Sequence, residues 1–214
     1  LLRTGRADPP LTPEQVDCAY TLARATARVL ESEQRREAIY RRQGSATATD
    51  PLTGCGSLDA LDRRIRDEFE RARRYALSFS LVLLDVDRMR LYNERFGNAG
   101  GDRLLAELGA LLQRELRAPD FISRYGGDEF ALILPETDLE GARRSVTRVR
   151  QRIAAHPFPD LPPQERPRVS AGIVTYPHPS AVQIDDLFAL VEAALLRGKA
   201  QAEERIGTAE SVAP

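Results

Sequence analysis

Apolar residues recur along this chain with two different periods, and the change of period divides it. Near the start, Val16, Tyr20, Ala23, Ala27 and Leu30 are spaced by three and four residues. That spacing predicts a helix with one narrow apolar seam. Thr12 can cap it, Pro13 suits the first helical position, and Gln15 completes a capping box. Nothing breaks the pattern before about Gln43, although Glu31, Glu33, Arg35, Arg36, Glu37, Arg41 and Arg42 make the second half highly charged. Such a helix would span roughly 46 Å. A narrow seam on so long a helix predicts a parallel dimer stalk. A helix folded against its own domain is the alternative.

The small residues Gly44 to Thr49 form a joint, and denser patterns follow. A helix is predicted over Leu58–Arg74, with Leu58, Leu61, Ile65 and Phe69 inward. The apolar run Phe79–Val86 reads as a central strand. Leu104–Leu116 reads as a helix with a leucine stripe. Phe121–Arg124 and Phe130–Leu134 read as strands joined by a tight turn at Gly126 and Gly127, where two glycines allow positive φ and close backbone approach. Leu139–Ala155 reads as a helix, Val169–Thr175 as a strand and Ile184–Ala202 as the last helix. One strand pair is a hairpin and the rest alternate with helices. The prediction is an α+β domain with a mixed sheet and a ferredoxin-like βαββαβ core, preceded by the long helix. The expected boundaries are 1–49 for the N-terminal segment, 50–207 for the domain and 208–214 for a tail.

Composition narrows the function classes. With 31 basic and 32 acidic residues among 214, the net charge of −1 disfavours a bulk anionic partner such as duplex DNA or a membrane surface. Apolar runs such as Leu81–Leu84 fall far short of a membrane span. Cys18 and Cys55 lack metal-ligand spacing, which fits a reducing cytoplasm. His156 and His178 each adjoin a proline and read as surface residues. No signal peptide is visible and the first residue is not Met, so the sequence is expected to be a piece of a longer protein. All the basic residues but Lys199 are arginine.

Two acidic corners carry the candidate chemistry. Asp85-Val86-Asp87 closes an apolar strand, where alternation puts the two carboxylates on one side. Carboxylates at a strand end suit Mg²⁺, which takes oxygen ligands and keeps waters and phosphates. Asp87 is also expected to cap a following helix. The second corner is Gly126-Gly127-Asp128-Glu129-Phe130, two acids directly after a glycine turn. In a ferredoxin-like core these corners adjoin, so Asp85 and Asp128 could share metal ions for phosphoryl transfer.

Arg124-Tyr125-Gly126-Gly127-Asp128-Glu129-Phe130 resembles the signature of GGDEF domains, the diguanylate cyclase family. Asp50-Pro51-Leu52-Thr53-Gly54 resembles the family's opening motif. Leu84 to Asp87, with Asn93, Gly97, Gly101 and Asp102, resembles its metal-and-guanine motif, and Ser170-Ala171-Gly172 its late strand. The resemblance covers about Asp50 to Gly207. The N-terminal part resembles, more weakly, the end of a GAF-type sensor running into a signalling helix.

This resemblance implies that two GTP are condensed to cyclic di-GMP and two pyrophosphates across a homodimer, in the cytoplasm, with no nucleic acid polymer and no membrane contact. Asp85, the Val86 carbonyl and Asp128 would hold Mg²⁺, two ions per GTP-bound site. Asp128 would assist deprotonation of the 3′-hydroxyl, with Glu129 beside it. Asn93 and Asp102 would read the guanine edge, since an amide both donates and accepts and a carboxylate accepts. Arg90, where the family usually has lysine, and Lys199 would meet phosphate. Asn98 lines the same motif in place of a frequent histidine.

Arg117-Ala118-Pro119-Asp120 matches the family's RxxD inhibitory site, with Arg148 as a third member for cyclic di-GMP. Other departures are Cys55, Ser57 and Leu58 after the opening motif, Glu192 for an aspartate, and Glu203 where a basic residue is usual. Arg205 could stand in for that missing charge. These departures leave a catalytically weak or inactive domain, acting as a cyclic di-GMP receptor, as the alternative.

Overall fold

The structure is a computed structural model. It describes residues 48–158, 161, 166–201 and 204–209. The long seam-bearing helix and Glu203 lie outside the described residues.

The elements, in order, are α1 (Leu58–Tyr75), β1 (Phe79–Val86), α2 (Met89–Glu115), β2 (Phe121–Arg124), β3 (Glu129–Pro135), α3 (Leu139–Ala155), β4 (Val169–Tyr176), α4 (Ile184–Ala200) and β5 (Ile206–Thr208). They form one five-stranded sheet in the order β2-β3-β1-β4-β5. β1 pairs antiparallel with β3 on one side and β4 on the other. Only β5 adds in parallel, beside β4. The first four strands are therefore the predicted βαββαβ core.

Strand alternation sorts the core into two layers. Val82, Leu84 and Val86 of β1 face a cluster built from Leu104, Leu105, Leu108 and Leu112 of α2 and Val146, Val149 and Ile153 of α3. Phe79, Leu81 and Leu83 face Leu61, Ile65 and Phe69 of α1 and Leu187, Val191 and Leu195 of α4. Helices α2 and α3 are the pair the motif requires, and α1 and α4 cover the other face. All eight residues of β1 are buried, as its apolar run predicts. Asp85 falls on the α1/α4 face by the same alternation.

Local chemistry sets the helix ends. Ser57 caps α1 by accepting from the Ala60 amide, and Asp138 caps α3 by accepting from Gly141. The predicted helix at Leu104 begins fifteen residues earlier, at Met89, and bends at Gly97 (φ 71°, ψ 166°), a conformation that favours glycine. Asp87 does not cap it: Arg88 holds the N-cap position with no side-chain bond. Gly126 and Gly127 do not use the positive φ open to glycine. His156 is half-buried rather than a surface residue, its Nε2 2.7 Å from Glu107 Oε1. Among the described residues, no helix is long and apolar enough to cross a membrane.

Candidate active site

The two acidic corners meet. Asp85 pairs in register with Glu129 across β1 and β3, and the Val86 amide donates to the Asp128 carbonyl at 3.0 Å. Asp85 is buried, with Asp128 and Glu129 close enough to repel its charge. Burial, reinforced by those carboxylates and opposed by Lys199, pushes its carboxyl up to about 6. The Lys199 ammonium lies 2.5 Å from Asp85 Oδ2. A cation thus already sits on the carboxylate expected to take metal.

Lys199 reaches this point because α4 lies unusually close to the sheet. A Cβ on Gly172 would come within 2.3 Å of the Val191 carbonyl oxygen, one on Gly198 within 2.4 Å of the Ala171 oxygen, and one on Gly207 within 1.8 Å of the Ala194 oxygen. No larger residue fits at these three positions.

Beside the corner is an open pocket of about 630 Å³, lined by Met89, Arg90, Asn93, Glu94, Asn98, Asp102, Leu105, Arg124, Gly127 and Asp128. The bend at Gly97 brings Asn93 and Asp102 to one wall. A Cβ on Gly101 would lie 1.9 Å from Asn93 Oδ1, so glycine is required for that amide to sit there. Asn93 Oδ1 is buried and accepts no hydrogen bond. An orphaned buried acceptor costs about 1–3 kcal/mol, which a ligand donor would recover once the amide turns toward the pocket. Nothing occupies the space where a Cβ on Gly127 would project, leaving the signature turn open to close approach. Arg90 is 90% exposed and pairs with Glu94 at 2.9 Å.

Five predicted residues therefore share the pocket: Arg90, Asn93, Asn98, Asp102 and Asp128. Asp85, Val86, Glu129 and Lys199 form the adjoining corner. Arg117, Asp120 and Arg148 lie elsewhere. Arg117 makes a two-pronged bond to Asp120 (2.8 and 3.2 Å) and a third bond to Thr137 Oγ1 at 2.8 Å. Arg148 donates to the Glu115 carbonyl, two residues before Arg117.

Sequence reasoning missed Arg124 as a working residue. Its guanidinium donates to the carbonyls of Gly126 and Gly127 and lies 3.5 Å from Asp50 Oδ2. Asp50 in turn accepts from the Thr53 amide and hydroxyl. The opening motif thus braces the signature turn; the signal was two charged motif residues with no role in the chemistry. Glu94 and Tyr125 were also missed. Tyr125 donates its hydroxyl to Glu192 at 2.9 Å and stacks on Phe188, tying the turn to α4.

The donor set fits a hard divalent cation. Asp85, Asp128 and the Val86 carbonyl offer oxygen only. Among the described residues no three His, Cys, Asp or Glu side chains form a ready-made metal site, so phosphates and waters would complete the shell.

Comparison with known proteins agrees with this geometry. The family model described as "Diguanylate cyclase, GGDEF domain" matches residues 47–205. Diguanylate cyclase DgcP of Pseudomonas aeruginosa is 35% identical over 185 residues, covering 85% of this chain and 27% of that protein. A diguanylate cyclase of Vibrio cholerae is 31% identical over 170 residues, covering 79% of this chain and 51% of that protein. The chain thus spans about a quarter to a half of the length of these relatives. The solved structure of the active GGEEF domain of a diguanylate cyclase from Vibrio cholerae superposes with a TM-score of 0.66 at 30% identity, covering 73% of this chain and 97% of that one. An acidic corner between two strands, a pocket walled by the bent helix and a match across most of the chain agree, and the chain belongs to the GGDEF diguanylate cyclase family.

Proposed function

We propose that the domain over residues 50–207 condenses two GTP into cyclic di-GMP and two pyrophosphates. One observation carries this reading. Asp85 and the Asp128 turn adjoin at a strand end, beside a pocket whose buried Asn93 carbonyl lacks a donor. A guanine edge presents such donors, and Asp102 on the same wall accepts from the remaining ones.

Asp85, Asp128 and the Val86 carbonyl would hold Mg²⁺, two ions per bound GTP. When bound, these ions supply charge neutralisation of the triphosphate and lower the proton affinity of the attacking hydroxyl. Asp128 takes the proton of the 3′-hydroxyl, assisted by Glu129. The 3′-oxygen bonds to the α-phosphorus of the partner's GTP, and the bond to pyrophosphate breaks. Lys199 and Arg90 contact the phosphates, and Asn98 lines the mouth. One pocket holds one nucleotide, so two copies must face each other. The segment 1–49 is read as the dimerisation and signalling helix, resembling the end of a GAF-type sensor, and 208–214 as a tail. Product would feed back by opening the Arg117–Asp120 pair, with Arg148 joining it. GTP as substrate places the reaction in the cytoplasm.

Incubation with GTP and Mg²⁺, with chromatography for cyclic di-GMP, tests this. Product that disappears with Asp128→Asn supports the enzyme. Cyclic di-GMP binding without turnover identifies a receptor instead.

A further inference from the structure

Asp87 is the acid of the first corner left without a role. Its Oδ1 accepts from Ser170 Oγ at 2.7 Å, and its Oδ2 lies 3.2 Å from Arg205 Nη1. Both side chains are largely buried, 13% and 22% exposed. Asp87 Oδ2 and Arg205 Nε make no aligned hydrogen bond, so proximity of opposite charges holds the pair.

Arg205 sits in the left-handed region (φ 48°), which costs a residue with a Cβ roughly 1–2 kcal/mol. The surroundings hold it there. Its carbonyl accepts from the Ala171 amide at 2.8 Å, starting the pairing of β5 with β4. The preceding Glu204 carbonyl accepts from Arg150, and Glu204 Oε2 lies 3.4 Å from Arg143. Residues 204–206 are thereby fastened to the end of β1, to β4 and to α3. Lys199, six residues before Arg205, is in the last turn of α4, where carbonyls run out of helical partners and a helix frays most easily. The glycine contacts set the height of α4 above the sheet. The fastening at Arg205 fixes residues 204–206, a few positions beyond its end.

We propose that Arg205 is a positioning residue for nucleotide binding. By pairing with Asp87 it anchors the chain leaving α4 and so holds Lys199 over the metal corner. It does not itself replace the basic residue that Glu203 displaces. The inference rests on the reading of Lys199 as the triphosphate contact.

The two roles for Arg205 predict opposite signs. If Arg205 acts through Asp87 and Lys199, Asp87→Asn weakens nucleotide binding. If Arg205 binds phosphate directly, Asp87→Asn frees it and tightens binding. The experiment is equilibrium titration of the full chain with a fluorescent GTP analogue and Mg²⁺, for wild type, Arg205→Met, Lys199→Met, the double variant and Asp87→Asn. Arg205→Met and Asp87→Asn should each weaken binding by about tenfold, the scale for a supporting residue behind a ligand contact. The double variant should bind no more weakly than Lys199→Met alone, and Arg205→Lys should recover part of the loss. Additive losses, tighter binding by Asp87→Asn, or unchanged binding by Arg205→Met with a lowered Tm would each overturn the proposal. Unchanged binding by Lys199→Met would instead overturn the reading of Lys199 on which it stands. Should Arg205→Met fail to fold, Asp87→Asn alone decides by its sign.

Discussion

Two cation–carboxylate pairs in this domain look alike in distance and differ in nearly everything else. Lys199 and Asp85 lie 2.5 Å apart, brought together from distant parts of the chain by β1 and α4. Arg117 and Asp120 lie 2.8 Å apart within one turn of chain. Asp85 stands among other acids and is pushed up to about 6, chiefly by burial. At the other pair, the Asp120 carboxylate beside Arg117 holds the guanidinium above its ordinary value. The first pair is a site under tension, in which an acid is ionised against its surroundings. In the second, the carboxylate is satisfied within one turn of chain by Arg117, which Thr137 also holds, and under the product-site reading the pair would have to open. Where burial exceeds local satisfaction, the side chain is poised to change partner.

The largest test breaks the first pair. Asp85→Asn should cut cyclic di-GMP formation by a hundredfold or more, roughly the scale for removing one preorganised electrostatic contact. The same variant should be more stable than wild type in the metal-free state. The folded carboxyl holds its proton to about 6, above the ordinary 3.8, so ionising it costs stability as pH rises between those values. Asparagine removes that cost. The gain at pH 7 is on the order of 3 kcal/mol and should vanish toward pH 4. Thermal unfolding across pH checks it; an unchanged or lowered Tm at pH 7 would mean that Lys199 compensates burial fully.

Next comes the pocket wall beside that pair. Gly101→Ala would drive a Cβ to 1.9 Å from Asn93 Oδ1. The amide must turn away, and the KM for GTP should rise about tenfold to a hundredfold, the cost of one misplaced polar contact. kcat at saturation should change little. Equal loss in both constants would move Asn93 from binding into the chemical step.

Breaking the second pair should leave the reaction alone. Arg117→Ala is expected to keep the initial rate and to weaken inhibition by added cyclic di-GMP about tenfold or more. Arg117 is half exposed, but the Asp120 side chain it pairs with is only 2% exposed and would keep just the Arg117 backbone N–H, so Tm should fall as well. A fall in the initial rate without product would tie this loop to the active site instead.

Much of this was legible before any coordinates. The boundaries of β1 follow from its unbroken apolar run, buried on both faces, and those of α3 from a periodicity that buries one face. The first half of α2 was not legible: Asn93, Gly97, Asn98, Gly100, Gly101 and Asp102 carry poor helix propensity, and no residue between Met89 and Gly100 is fully buried, so no apolar stripe marks it. β5 is three residues long and pairs with a strand far away in sequence, which no local pattern encodes. At the site, Asp85 and Asp128 could be singled out as acids at strand ends. The bracing of the turn by Arg124 and Asp50, and the tie between Asp87 and Arg205, depend on which strands adjoin. Asp87 shows the limit well. Its sequence position suggests a helix cap, yet Ser170 and Arg205 claim the carboxylate.

The smallest test sharpens what the single lysine contributes. Arg90 and Lys199 are both read as phosphate contacts, but their settings differ. Arg90 is 90% exposed and pairs with Glu94 within a turn of the same helix. Such a pair is worth about 0.5 kcal/mol, and a long side chain in water adapts readily to a change of head group. Lys199 is three-quarters buried at the end of a helix pressed onto the sheet, with its ammonium fixed against Asp85. A guanidinium is planar and larger, and cannot take the same point-like position. Lys199→Arg should therefore raise the KM for GTP about tenfold, while Arg90→Lys should change it less than about twofold. Steady-state kinetics on the two variants decides between them. The opposite order would make the exposed arginine the principal phosphate ligand and reduce Lys199 to a counter-ion for Asp85.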